Sequence, residues 1–139
     1  MAEFIFKRMT EEAGVADGFL IVSRATSTEE IWGGVGNPVY PPAREELERR
    51  GYSCEGKRAE QVKRSDYAEY DMLICMDDKN VSNLLRIIGS DKDHKVSKLM
   101  DYTERGGNVA DPWYSGHFDV TFDDIYKGCA ALLEYLLWK

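Results

Sequence analysis

Apolar positions recur along the chain in alternating helix-like and strand-like patterns. Met1, Phe4, Ile5 and Met9 fall at helical spacing with Gly14 as a stop, so the sequence opens inside a helix. Gly18 to Ser23 (GFLIVS) is a short apolar run suited to a buried strand, and turn residues Gly33, Gly34, Gly36 and Pro38 follow it. Pro42 at a first helical position, Leu47 inside and Gly51 just past Arg49 and Arg50 predict a short helix. Met72 to Met76 (MLICM) is the clearest buried strand. Asp77 and Asp78 stand where they can cap a helix whose Val81, Leu84, Leu85 and Ile88 share a face. Val96 to Met100 is a less regular strand pattern, and an irregular segment containing Asp111, Pro112, Trp113 and Tyr114 follows. Phe122, Ile125, Tyr126, Cys129, Leu132, Leu133, Leu136 and Leu137 then form a wide helical stripe, with Thr121 expected as its N-cap.

Strands alternating with helices predict one α/β domain over residues 1–139, a three-layer open parallel sheet with helices on both faces. Ligands of such sheets bind outside the carboxyl ends of the strands, here Ser23 to Ala25, Asp77 to Asp78 and Asp101 onward. The unusual loop chemistry leaves from that edge.

Composition narrows the partners. The net charge is −7, with basic and acidic residues interleaved, which argues against nucleic acid, since a phosphate backbone is held by clustered Lys and Arg. No run approaches the length of a membrane span and no basic-then-apolar leader opens the sequence, so a cytoplasmic protein without a membrane partner is expected. Cys54, Cys75 and Cys129 are widely spaced, and only His94 and His117 accompany them. That argues against a zinc site, and Cys75 and Cys129 read as small core residues. No metal or organic cofactor is expected.

The opening MAEFIFK, ATSTEEIW followed by VGNPVYPPAREEL, the strand-to-helix MLICMDDKN and the late DPWYSG before a long final helix together resemble the bacterial low-molecular-weight protein tyrosine phosphatases. The order and spacing match over essentially the whole chain. The resemblance implies hydrolysis of a phosphotyrosine protein or small phosphomonoester through a cysteinyl-phosphate. It implies Asp111 as the general acid that protonates the departing phenolate, and Trp113 and Tyr114 as the aromatic walls of the cleft. It also implies Trp32 as a loop residue facing substrate, whereas Arg24 and Arg58 are expected to be solvated surface residues and Asn37 to brace a turn. The neighbouring chemistries on the same architecture are protein-arginine phosphatase and arsenate reductase. A second aromatic beside the acid suits an aromatic leaving group and favours the tyrosine phosphatase.

The family's phosphate-binding loop has the form Cys-x5-Arg-Ser/Thr and follows a first strand. In this sequence the residues six positions after Cys54, Cys75 and Cys129 are Glu60, Val81 and Tyr135, so no cysteine here has the required arginine. The expectation is an N-terminally shortened, inactive family member, or else a pseudo-phosphatase that binds without turnover. The missing strand would sit between those matching Gly18 to Ser23 and Met72 to Met76. Either the flanking strands then pair directly, or a strand from a second copy fills the slot and gives a strand-exchanged homodimer, the outcome favoured here.

Overall fold

The computed structural model describes residues 1–26, 31–32, 35–36, 38–110, 112 and 116–138, and for Ile31, Trp32 and Val35 the backbone alone. Its helices are α1 (Ala2–Glu12), α2 (Pro41–Arg49), α3 (Asp66–Glu69), α4 (Asp78–Ile88) and α5 (Phe118–Leu137). Its strands are β1 (Ile31–Trp32), β2 (Val35–Gly36), β3 (Leu73–Cys75) and β4 (Val96–Lys98). β1 and β2 form an antiparallel hairpin, whereas β3 and β4 pair in parallel with Leu73 opposite Val96, as an α/β architecture requires. No helix among the described residues is long and apolar enough to cross a membrane.

The main core lies on the α5 side. Ile5 and Phe6 of α1, Leu47 of α2, Leu99 and Met100, and Phe122, Ile125, Cys129 and Leu132 of α5 are buried together. Gly128 explains the close approach of α5 to the 3₁₀ turn Leu99–Tyr102: a Cβ there would lie 2.6 Å from Leu99 Cγ. The smaller cluster behind β3 joins Val62, Cys75, Leu84 and Ile88.

Several expected elements form with the expected chemistry. Asp77 is extended and its carboxylate accepts the Asn80 N–H at 2.8 Å, which caps α4, while Asp78 enters the first turn. α2 starts at Pro41, so Pro41 and Pro42 occupy its first two positions, where no N–H is needed.

Three expectations are corrected. Thr121 does not cap α5: the helix begins at Phe118, and the Thr121 hydroxyl donates to the Ala110 carbonyl at 2.9 Å. The strand pattern from Val96 ends at Lys98, and Leu99 and Met100 turn inward as 3₁₀ structure to meet α5. Gly18 to Ser23 forms no ladder. Phe19 and Ile21 pack on the core while Leu20 is 78% exposed, so side chains alternate as in a strand, but among the described residues no neighbouring strand pairs with it. Pairing begins only at Ala25, whose N–H donates to the Glu60 carbonyl at 2.7 Å and whose carbonyl accepts from Val62. The two segments expected to flank the slot thus do not pair with each other among the described residues.

Candidate active site

The carboxyl end of β3 is a crossroads. The Met76 N–H donates to Asn80 Oδ1 at 3.2 Å, and Asn80 Nδ2 reaches Thr26 Oγ1 at 3.5 Å, joining this strand end to the end of the extended segment. The Met76 carbonyl accepts the Val109 N–H at 3.0 Å. One strand terminus therefore gathers the start of α4, the residues around Thr26 and the segment that leads to Asp111.

That segment is pinned from two sides. On the sheet side, Lys98 Nζ donates to Asp78 Oδ1 at 2.9 Å and to Asn108 Oδ1 at 3.0 Å, and Asn108 Nδ2 donates to Asp78 Oδ2. The Lys98 ammonium and then the Asn108 amide hold the Asp78 carboxyl below its ordinary value, and the bond to Asp78 raises Lys98. On the helix side, Asp124 Oδ2 accepts the Ala110 N–H at 3.0 Å while Thr121 donates to the Ala110 carbonyl. Arg105 reaches both Asp124 oxygens, at 3.4 and 3.5 Å, and the Asn108 carbonyl at 2.8 Å.

Asp111, Trp113, Tyr114 and Asn37, all singled out from the sequence, lie outside the described residues. Beyond Asp111, the Pro112 carbonyl accepts the Gly116 N–H at 2.8 Å. Trp32 is described by its backbone, which pairs with Val35 in the hairpin. That hairpin is tied to the residues after α2: Arg58 Nη1 donates to the Gly36 carbonyl at 3.0 Å, and Pro38 bridges to Arg58. A Cβ on Gly36 would lie 1.7 Å from the Ala59 carbonyl oxygen, so only glycine fits. Arg58 is exposed at the surface while it makes its bond to Gly36, and Arg24 pairs with Glu60 at 3.5 Å.

Each cysteine is buried, and none is activated. Burial raises the Cys54 thiol and pushes Cys75 up to about 11 and Cys129 up to about 12, where thiolate is scarce at neutral pH. Glu3, which the sequence analysis did not single out, is the most connected carboxylate near the start of α1. It accepts the Ser23 N–H at 2.8 Å, the Ser23 hydroxyl at 2.9 Å, Lys57 Nζ at 2.7 Å and Lys7 Nζ at 3.0 Å. Burial alone would raise its carboxyl, but the bonds from Lys57, Lys7 and Ser23 outweigh that and hold it down at about 2. A helical stripe points to apolar faces, so a buried acid paired with Ser23 and Lys57 leaves no trace in it.

The parallel pair β3–β4 and the segments that meet at the carboxyl end of β3 define an α/β protein with a candidate ligand edge there. The family model for low molecular weight phosphotyrosine protein phosphatase matches residues 1–139, and the chain belongs to that family. The low molecular weight protein-tyrosine-phosphatase YfkJ of Bacillus subtilis is 33% identical over 135 residues, 96% of this chain and 84% of that protein. The rat low molecular weight phosphotyrosine protein phosphatase is 31% identical over 96% of this chain and 85% of its own. The crystal structure of YfkJ superposes with a TM-score of 0.89 at 30% identity, covering 98% of this chain and 84% of that one. That of the Streptococcus pyogenes enzyme SP-PTP gives 0.83 at 31% identity, covering 97% and 82%.

Proposed function

We propose that this fold serves phosphotyrosine hydrolysis, with Asp111 as general acid and Trp32, Trp113 and Tyr114 lining the cleft. The observation that supports this reading is the anchoring of Val109 and Ala110, the two residues before Asp111 in sequence, at the carboxyl end of β3 and on α5, the edge where such sheets bind ligands. None of the three cysteines here fits the nucleophile's part, since each is buried with a raised pKa; in the family's reaction that part belongs to a Cys-x5-Arg cysteine. Its thiolate attacks phosphorus as the P–O bond to tyrosine breaks, and Asp111 gives its proton to the leaving oxygen. Water then cleaves the P–S bond, and the Asp111 carboxylate takes the proton from that water.

The 139 residues alone are expected not to turn over a phosphotyrosine analogue, since loss of a nucleophile in a comparable catalytic unit removes on the order of 10⁶ of rate. Turnover above buffer background that depends on Asp111 would sink this assignment. With a Cys-x5-Arg segment joined ahead of Met1, Asp111→Asn is expected to slow a phenol leaving group of pKa about 10 by roughly 10²–10⁴-fold while sparing an activated phenol. Equal losses would remove Asp111 from the acid role.

A second reading, binding of a phosphorylated segment without turnover, draws on the same lack of an activated thiol. Saturable phosphopeptide binding by the inactive chain supports it, and its absence ends it. The favoured assembly is the strand-exchanged homodimer. β3 pairs on one side only among the described residues, and Leu20 and Val22 stand exposed beside no ladder. A mass that stays monomeric across concentrations in light scattering would overturn that assembly.

A further inference from the structure

The acid loop's approach is held by α5 through two side chains that the proposed mechanism leaves unused. Thr121 and Asp124 lie in the first two turns of α5, are 6% and 7% exposed, and bond the two sides of one residue. The Asp124 carboxylate accepts the Ala110 N–H at 3.0 Å, and the Thr121 hydroxyl donates to the Ala110 carbonyl at 2.9 Å. Because they stand three positions apart, one helical face presents both an acceptor and a donor to the loop. Ala110 has only a methyl side chain, so this anchoring acts wholly through its backbone, whose carbonyl belongs to the peptide bond leading to Asp111.

We propose that Thr121 and Asp124 are positioning residues for the general acid, acting through the Ala110 backbone that they hold. The proposal rests on the reading of Asp111 as the acid. Arg105 completes the device by bonding both Asp124 and the Asn108 carbonyl, which ties the loop's approach to the same carboxylate. A buried carboxylate without these donors would be costly to desolvate, so its occupation by Ala110 and Arg105 gives the loop a defined seat. A misplacement of about 1 Å in a catalytic group can cost roughly 10²-fold in rate, which is the scale on which a backbone anchor one residue away would act.

Amide exchange in the 139-residue chain tests the anchor, and leaving-group dependence in the protein bearing its Cys-x5-Arg segment tests the role. Asp124→Ala is expected to speed exchange of the Ala110 N–H at least about tenfold, whereas Asp124→Asn, which keeps an acceptor oxygen, stays near wild type. Thr121→Val keeps the shape and removes the donor. It is expected to lower kcat for a phenol of pKa about 10 by roughly 10-fold or more, with an activated phenol changed little and Thr121→Ser restoring the rate. Equal losses on both substrates, or unchanged Ala110 exchange in Asp124→Ala, overturn the proposal. Should Asp124→Ala fail to fold, Thr121→Val carries the test. Asp111→Asn separates the two ideas: if it shows no leaving-group selectivity, the acid reading falls; if it does and Thr121→Val does not, the positioning role alone falls.

Discussion

The two sides of the molecule are built differently. Around α5, apolar residues from α1, α2, the 3₁₀ turn and α5 itself close over one another, and Ile5, Leu47, Leu99 and Cys129 are essentially inaccessible. On the sheet side, β3 has one partner strand among the described residues, Leu73 and Ile74 are half-buried, and Leu20 faces solvent. The difference teaches where each side finds its stability. The α5 side is held by packing completed within these residues. The extended segment beside the sheet is held by polar staples, Glu3 to Ser23 and Ala25 to the strand-like residues 60–62, in addition to Phe19 and Ile21 against the core. A sheet edge with unpaired backbone is also where another strand can add.

Truncation in the packed side separates the two most sharply. Leu99→Ala is expected to cost about 2–5 kcal/mol, because the side chain is fully buried against Gly128 and the space cannot refill. Denaturant unfolding reads it, and a cost below about 1 kcal/mol would show that the α5 side is looser than its burial implies.

The staple on the other side is tested by acid. Glu3 is depressed from 4.5 to about 2, so its contribution is fully present above its unfolded value and is lost as pH falls from about 5 through 2. That shift sets an upper bound of about 3 kcal/mol, lowered by solvent screening because Lys7 and Lys57 are partly exposed, and Glu3→Gln is expected to flatten this acid limb of stability. If the pH dependence is unchanged in Glu3→Gln, Ser23 and Lys57 do not hold the segment as described.

The smallest effect sharpens the contrast. Leu20→Ser is expected to change stability by no more than about 0.5 kcal/mol, since the side chain is already in solvent. A larger loss that grows with protein concentration would mean that a second copy covers Leu20, as the strand-exchanged assembly requires.

Local and periodic features could be read without the fold. The stripe on α5, the cap at Asp77, the proline start of α2 and the MLICM strand depend on residues a few positions apart, and each element forms at or within a residue or two of its expected place, although Tyr126 and Leu137 of the stripe are exposed and Leu73 and Ile74 of the strand are only half-buried. The order of four short motifs pointed to the family. Features that need a distant partner were not legible. Thr121 stood at a plausible cap, and only the approach of residue 110 to α5 turned its hydroxyl outward to that loop. Gly18 to Ser23 has the composition and alternation of a strand, but a ladder requires a second strand, which a run of apolar residues cannot specify by itself. Glu3 and Asp124 look like surface acids in sequence. Burial made them anchors because Lys57, Ser23, Ala110 and Arg105 converge on them from elsewhere in the chain. Propensity and capping act over one turn and are carried by the sequence itself, whereas the pairing of buried polar groups is decided only when chain segments far apart are brought together.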